Sequence, residues 1–383
     1  MSEDKKRKRK TDKAKHHLWH LWAALFVVFV GATVCCFIWQ RHLWNAGSID
    51  ERLAAIDAEL AIPDFENAAV FYRRFFTDPN NAAILDDLSS LTPSAYVEPW
   101  AGSEHPELAA ELKKNRAFMQ TLLDISGMEE ARFPIYPNPS SSSFTLADMR
   151  KITFILSWAA ANDLAEGRAE EAHNKYRCQF NLARLLQQQP AAYYRLVSIA
   201  IEAVASGNIK RAAMRDEITT EQLSSLEMIL KIPLERDEVV AEVADRVNLL
   251  IEEKEMSALP LIARFKYWLH GRATPTSRLQ REKMQHLRLQ ASQQATRILI
   301  ALRRHKEKTG TWPQSLEQIE PKLPEKMLID PQNNSSFVYK RDGDSFVFYS
   351  KGSNGIDEGG SYSGSADDWP IWPLKIKKSP AGK

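Results

Sequence analysis

Cysteine is scarce in this chain of 383 residues, and the positions of its three cysteines exclude a disulfide framework. Cys35 and Cys36 lie in a long apolar run near the N-terminus, and only Cys178 lies in the remaining chain. Because that one thiol has no intrachain partner, the remaining chain must be stabilised by packing. Cys178 lies in an apolar helical pattern, which predicts a buried structural thiol.

Recognisable catalytic motifs are also missing. The nine histidines form no His-Glu-x-x-His motif and no Cys/His cluster with metal-ligand spacing. A lone histidine on a helix, such as His173, is predicted to be a polar surface residue. Neither a Gly-x-Ser-x-Gly motif nor a phosphate-binding glycine loop occurs. The sequence therefore predicts a protein that is not an enzyme. The alternative is a membrane-tethered enzyme whose site is assembled from scattered residues.

A strong net charge is lacking as well, since 51 basic and 49 acidic residues leave a formal charge of +2. Residues 1–17 carry eight cations and three acids, so the remaining chain is slightly acidic. This balance excludes nucleic-acid binding by charge. The chain is nevertheless rich enough in apolar residues, at 44%, to build a sizeable core.

One long apolar run is present, from Leu18 to Trp39. Its 22 residues span, as a helix, roughly the 30 Å hydrocarbon core of a bilayer. His20 is its only titratable polar side chain, and tryptophans lie near both edges, as membrane interfaces favour. The run exceeds a secretory signal in length and lacks an Ala-x-Ala cleavage pattern. It predicts a retained single-pass transmembrane helix.

Charge predicts the orientation of this helix. The basic residues of the tail 1–17 keep the N-terminus in the cytoplasm under the positive-inside rule. The expected location is the inner (cytoplasmic) membrane, with the bulk of the chain extracytoplasmic and the bilayer itself as one partner.

The fold class expected outside the membrane is mainly α. Helical periodicity dominates residues 40–275, which we assign to an α-helical domain beginning with a capping box at Ser48-Ile49-Asp50-Glu51. The Asp78-Pro79-Asn80-Asn81 run is expected to end a helix, and the helical pattern is expected to resume from Glu107 to Ile125. The stretch 133–144 contains three prolines and four serines, which predicts a loop or a subdomain seam.

Residues 276–372 read as a small α+β unit. A long helix from Thr276 to Lys308 has apolar residues at spacings of three and four, and Gly310 follows its end. Its basic residues, including Arg297, Arg303 and Arg304, are expected on a solvated face. Strands are predicted at Phe337 to Arg341 and Asp344 to Ser350, around a hairpin turn at Asp342-Gly343. A Gly- and acid-rich loop and a basic tail, 373–383, follow.

The order of features over residues 285 to 372 resembles the C-terminal part of type II secretion major pseudopilins. That family passes from a long helix through a Gly-x-Tyr-Pro turn into a short helix, an Asp-Pro, a hairpin and a Gly- and acid-rich loop. The matching residues are Thr309-Gly310-Thr311-Trp312-Pro313, Leu316 to Ile319, Asp330-Pro331, Phe346 to Ser350, Gly352-Ser353-Asn354-Gly355, Glu358-Gly359-Gly360 and Asp367-Asp368. As a whole, the chain resembles large uncharacterised membrane-anchored proteins of planctomycete-type bacteria that join an alanine-rich helical domain to such a tail.

The resemblance implies a calcium site, because the final loop of pseudopilins commonly binds calcium. By position, the ligands are Ser350, Asn354, Asp367 and Asp368, together with nearby carbonyl oxygens. Asn354 stands where the family has Asp. An acidic surface loop held by glycine turns is the alternative interpretation.

The resemblance does not extend to the N-terminus. Pilin-type precursors carry a processing Gly followed by Phe-Thr-Leu-Ile-Glu, whereas His17 precedes the apolar run here and no Glu lies within it. We therefore expect a membrane-anchored extracytoplasmic interaction or structural protein, associated with type II secretion or the cell envelope and not itself a processed pilin. Envelope or secretion proteins are its expected partners.

Overall fold

The structure is a computed structural model, and it describes residues 48–92, 94, 97–135, 146–230, 238–258, 260, 275–319, 322–363 and 365–374. The predicted transmembrane helix Leu18 to Trp39, the basic tail 1–17 and most of the tail 373–383 lie outside these ranges. Within the described ranges, no helix combines the length and apolar character needed to cross a bilayer. The chain divides into two compact units, Met1–Glu59 and Leu60–Lys383.

The described chain is mainly helical, as the sequence predicts. The first unit contributes α1, Ile49–Glu59. The second contributes α2 (Ala68–Thr77), α3 (Pro79–Leu91), α4 (Pro106–Lys114), α5 (Arg116–Ser126), α6 (Leu146–Ala165), α7 (Ala169–Gln187), α8 (Ala192–Ala213), α9 (Thr220–Ile229), α10 (Glu238–Ser257) and α11 (Pro275–Thr309).

Helix termini follow the expected capping chemistry. The capping box of α1 is confirmed, since Glu51 N donates to Ser48 Oγ at 3.2 Å and Ser48 N to Glu51 Oε2 at 2.9 Å. Asp78 ends α2 and also caps α3, accepting from the backbone N–H of Asn80 at 2.8 Å. The helical pattern predicted from Glu107 to Ile125 is confirmed, and it is divided into two helices, α4 and α5, which meet at Asn115.

The helical core forms where α6, α7, α8 and α11 pack against one another. Apolar residues of these helices and α9 share one buried cluster, which includes Ala160, Tyr176, Phe180, Leu226 and Ile300. Gly167, with φ of +77°, allows the tight turn between α6 and α7 that the sequence predicts. Cys178 is buried in this helical body, as expected, and burial raises the pKa of its thiol to about 12.

The stretch 133–144 is described only as far as Ile135, and the remainder lies outside the described residues. Phe133 and Ile135 are buried. The side-chain amides of two residues bind the backbone at residues 131–133. Gln189 accepts from Phe133 N at 3.0 Å and donates to Ala131 O at 2.9 Å, while Asn67 accepts from Arg132 N at 2.8 Å. This part of the stretch is therefore tied into the helical body.

Five short strands follow α11: β1 (Ile329–Asp330), β2 (Ser335–Ser336), β3 (Val338–Asp342), β4 (Ser345–Ser350) and β5 (Trp369–Trp372). β1 pairs with β2, and β3, β4 and β5 form an antiparallel sheet in that order. The predicted hairpin is present, but its turn lies one residue later than predicted. Asp342 pairs with Ser345, so Gly343, with φ of +57°, and Asp344 are the central turn residues. Lys340 is exposed on β3, and Pro370 lies in β5.

The strands pack on α11 through one apolar cluster. Ala295, Leu299 and Leu302 of α11 meet Phe346 and Phe348 of β4, among other residues. The expected packing of strand aromatics on the long helix is therefore confirmed.

The solvated face expected on α11 is wrong for three arginines. Arg303 is 6% exposed and donates to Asp216 O at 3.0 Å. Arg304 pairs with Glu227 of α9 at 2.6 Å, and Arg297 donates to Leu230 O. Their guanidinium groups reach acceptors on and around α9, which covers this side of α11.

Candidate functional site

An open cleft of about 620 Å³ lies among α4, α5, α6 and α7. Apolar side chains line part of it, and they come from α4, α5 and α6: Ala109, Leu112, Met119, Leu123 and Ala159. Polar and charged residues from all four helices and the α6–α7 turn line the rest. The cleft therefore offers apolar contact and charge within one concave surface, which is typical of ligand sites.

Asp163 is the most enclosed charged group of the cleft, with its side chain 10% exposed. Its Oδ1 accepts from Arg168 Nε at 2.8 Å, and its Oδ2 accepts from Lys175 Nζ at 2.5 Å. Arg168 also donates to Asn162 Oδ1 at 3.0 Å. The sequence produces this group locally, because Asp163 lies in the last turn of α6 and Arg168 directly follows the Gly167 turn. One carboxylate therefore holds two cations.

The opposite wall of the cleft carries Lys113 at the end of α4 and Arg116 at the start of α5. Both side chains are exposed, and neither makes an ion pair or hydrogen bond with a described residue. Their neighbour Lys114, by contrast, is outside the cleft lining and pairs with Glu111 at 3.0 Å. Lys113 and Arg116 are thus available to an external anion.

Two titratable groups with strongly displaced pKa values lie outside the cleft, between α8 and α11. We call this region the α8–α11 seam (Glu202, Ser206, Lys210, Ser292 and Gln293). Glu202 is fully buried, and burial raises the pKa of its carboxyl well above the ordinary value. Gln293 Nε2 donates to Glu202 Oε1, while Glu202 Oε2 has no hydrogen-bond partner among the described residues.

Lys210 is the second titratable group of the seam, and it is 3% exposed. Its Nζ donates to Ser292 Oγ at 3.2 Å and lies 4.6 Å from the ring centroid of Trp369 in β5. Burial, assisted by the positive charges of Arg211 and Arg288, lowers the pKa of Lys210 to about 7. Neither Glu202 nor Lys210 lines the cleft, so the cleft does not use these two groups for acid–base chemistry.

His173 differs from the sequence expectation, because it is 3% exposed rather than on the surface. Its Nδ1 lies 2.9 Å from Ser225 Oγ of α9. Burial and the charge of Arg177 lower its pKa to about 4, so the imidazole is neutral at pH 7. This histidine ties α7 to α9.

The four predicted calcium ligands are only partly brought together. Ser350 is buried on β4, donates to the carboxylate of Asp330 and accepts from Gly352 N at 3.0 Å. The Asn354 side chain donates to Glu358 Oε1 at 2.9 Å and accepts from Ile356 N at 2.7 Å. Ser350 and Asn354 are thus engaged with different acids.

Asp367 and Asp368 hold the loop through its backbone. Asp367 Oδ2 accepts from Ser353 N at 2.8 Å and from Asn354 N at 3.3 Å. Asp368 Oδ2 accepts from Glu358 N at 2.8 Å and Gly360 N at 2.7 Å, and burial raises the pKa of its carboxyl. The Oδ1 atoms of both aspartates are buried without a hydrogen-bond partner among the described residues.

No group of three or more His, Cys, Asp or Glu side chains suited to a metal ion occurs within the described ranges. The calcium site therefore stays a prediction. Sequence reasoning missed Asp330 and the bridging role of Glu358, whose Oε2 accepts from Asp367 N at 3.0 Å. Both residues belong to motifs that carry the pseudopilin resemblance, Asp330-Pro331 and Glu358-Gly359-Gly360. Those motifs were the signal in the sequence that could have identified them.

The cleft was also missed, because its lining comes from segments up to about seventy residues apart, and no local motif marks it. Comparison of the chain with protein-family models, curated proteins and solved structures finds no match in any of the three.

Proposed function

We propose that this chain is a membrane-anchored, extracytoplasmic interaction or structural protein of the cell envelope. In this proposal it works with envelope or type II secretion proteins and is not itself a processed pilin. The observation that carries the proposal is the cleft among α4, α5, α6 and α7, which presents apolar side chains and unpaired cations on an ordered helical body.

The geometry of the cleft favours binding over catalysis. Its volume, about 620 Å³, is in the range of ligand sites. Its most enclosed acid, Asp163, is engaged on both carboxylate oxygens by Arg168 and Lys175, which leaves it poorly placed to take a proton from a substrate. Such a group fixes the shape of a surface rather than reacting at it.

Two sequence features support the envelope location. The apolar run Leu18 to Trp39 has the length and flanking charges of a signal anchor. The long helix followed by a β-hairpin and an acidic loop also has the element order that the pseudopilin resemblance implies.

Site-specific photo-crosslinking in the native membrane tests the proposal. A photoreactive phenylalanine analogue replaces Gln120, which is exposed at the cleft, and in a matched control it replaces Glu221, which is exposed on α9. We expect a defined adduct with an envelope protein from position 120 only. External protease should also digest the chain in spheroplasts, and alkali should leave it in the membrane fraction. A protease-resistant chain, or equal adducts from both positions, would contradict the proposal.

Calcium binding by the C-terminal loop is a second candidate, favoured by the unpartnered Oδ1 atoms of Asp367 and Asp368. Calcium binds through carboxylate and carbonyl oxygens, which this loop supplies together with the side-chain oxygens of Ser350 and Asn354. Millimolar calcium, but not magnesium, should then raise the melting temperature of the full chain.

The D367N/D368N double variant is expected to lose the calcium-dependent rise in melting temperature. D342N, which alters an exposed acid at the hairpin, is expected to keep it. If the wild-type chain melts at the same temperature with and without calcium, the loop is an acidic loop held by its own hydrogen bonds.

A further inference from the structure

We propose that the cleft binds an acidic peptide segment of a partner protein, in which Asp or Glu side chains stand beside apolar ones. This inference rests on the proposed interaction function and specifies the chemistry of its partner. The juxtaposition that carries it is a pair of unpaired cations, Lys113 and Arg116, beside apolar side chains of α4 and α5.

Charge complementarity is the first step. Lys113 and Arg116 face the cleft without an acid partner among the described residues. On the other wall, Arg168 and Lys175 both contact Asp163, and Arg168 also lies 4.0 Å from Glu166. Four cations and three acids line the cleft. The unpaired positive charge therefore lies on the wall formed by α4 and α5, where it attracts a carboxylate that enters the cleft and repels an ammonium group.

The apolar lining supplies the second step. Leu112, Met119 and Leu123 follow one another along α4 and α5, beside the two free cations. A ligand whose carboxylate reaches Lys113 or Arg116 therefore places its neighbouring groups on apolar side chains. Burial of apolar area is favourable, so these neighbouring groups are expected to be apolar.

Side-chain amides in the lining favour a peptide over a fatty acid. Asn174 uses its Oδ1 to accept from Arg177 at 2.7 Å, and its amide N–H groups have no partner among the described residues. Gln120 donates to Asp124 at 2.8 Å, and its Oε1 has no such partner either. A peptide backbone offers both a carbonyl acceptor and an N–H donor to these amides, while an alkyl chain leaves them unsatisfied.

The test begins with selection from a display library of random 12-residue peptides. The full chain, reconstituted in lipid nanodiscs, is the target, and empty nanodiscs remove lipid binders. We expect enriched peptides to contain Asp or Glu beside Leu, Ile, Val, Met or Phe. An enriched peptide is then labelled, and its affinity is measured by fluorescence anisotropy at low and moderate salt.

Matched variants locate the binding site. The K113A/R116A double variant should weaken binding about tenfold at low salt, since exposed charge contacts act mainly through long-range attraction. K114A removes an adjacent cation that pairs with Glu111 and does not line the cleft, so its affinity should stay within about twofold of wild type. All three substituted residues are exposed, and equal melting curves will show that the variants fold.

Several outcomes would overturn the inference: no enrichment, enrichment without acidic residues, or equal binding by wild type and K113A/R116A. Decanoate, a fatty acid, tests whether the cleft instead binds a lipid carboxylate. If decanoate displaces the labelled peptide with an affinity equal to that of the unlabelled peptide, the peptide assignment is overturned. This experiment uses purified protein and is independent of cellular location. A crosslink from position 120 without peptide binding would retain the proposed function and remove only this inference.

Discussion

The cleft and the α8–α11 seam treat buried charge in opposite ways. In the cleft, Asp163 contacts two cations at 2.8 and 2.5 Å. In the seam, Glu202 and Lys210 are more deeply buried, and neither forms an ion pair with a described residue. Paired groups keep their charge when buried, whereas unpaired groups are driven toward their neutral forms.

This difference gives the two regions different roles: the cleft is suited to recognition of a ligand, and the seam affects the stability of the fold. The cleft presents charged side chains to a ligand. The seam exposes no charge to a ligand, but the displaced pKa values of Glu202 and Lys210 make the free energy of unfolding depend on pH. Substitutions in the two regions should therefore differ in sign as well as in size.

The largest effect is expected for K210M. The folded-state pKa of Lys210 is about 7, below its unfolded value, so the unfolded chain takes up this proton first as the pH falls. In that window the wild type loses about 1.4 kcal/mol of stability per pH unit, to a total of roughly 4 kcal/mol between pH 10 and pH 7. K210M removes this loss and is expected to be more stable than wild type at pH 7.

Urea unfolding at several pH values between 7 and 10 measures the effect. Lys306, which lies over the ring of Trp312 near the exposed end of α11, provides the matched control K306M. A wild-type stability that follows the same pH dependence as K210M would mean that Lys210 is charged in the fold.

The next largest effect is expected for D163A in the cleft. Removal of this carboxylate leaves Lys175, whose side chain is 14% exposed, without an ion-pair partner among the described residues. Breaking a buried ion pair from one side costs about 3 kcal/mol, so D163A should be strongly destabilised. The midpoint of urea unfolding at pH 7 measures the change. If D163A and wild type unfold at the same urea concentration, water already screens these charges, and the contrast with the seam fails.

A smaller effect of opposite sign is expected for E202Q. The pKa of Glu202 is raised by burial, so the folded state prefers the protonated acid and loses stability as the pH rises above the unfolded value of about 4.3. E202Q keeps an oxygen acceptor for Gln293 and should stabilise the chain at pH 7, because it removes the charge that burial disfavours. The stabilisation should vanish near pH 4. E221Q, at an exposed site on α9, is the control. A destabilised E202Q would show that the carboxylate of Glu202 is charged in the fold and stabilised there by its surroundings.

The smallest effect is expected for D86N, which breaks an exposed ion pair. Asp86 contacts Lys151 at 2.7 Å, but its side chain is 71% exposed. Such pairs contribute about 0.5 kcal/mol, so D86N should unfold within that margin of wild type. This variant sharpens the comparison, because D86N and D163A remove the same group and differ in burial. Equal destabilisation of the two would mean that burial does not decide the effect.

Much of the helical fold could be predicted from the sequence. The turn at Gly167, the capping box at Ser48 and the aromatic packing on α11 all follow from local patterns. The one-residue shift of the hairpin shows the limit of such patterns. Asp342-Gly343 and Gly343-Asp344 both suit a two-residue turn, and pairing along β3 and β4 decides between them.

Burial of polar residues could not be predicted in the same way. His173 and Arg303 occupy helix positions typical of surface residues, yet both are buried. Periodicity indicates which face of a helix is apolar, but it does not indicate which other helix covers its polar positions. The cleft depends on the same information, because Lys113 and Lys175 become neighbours of one surface only after α4 to α7 have packed.

The three-stranded sheet has two edges, and each edge discourages the addition of another strand. Pro370 of β5 has no N–H to donate to a neighbouring strand, and β3 presents the exposed cation of Lys340. Many copies held side by side would therefore be protected from edge-to-edge pairing of their backbones. Contacts between copies at this sheet would then form through side chains, and such contacts can be specific and reversible.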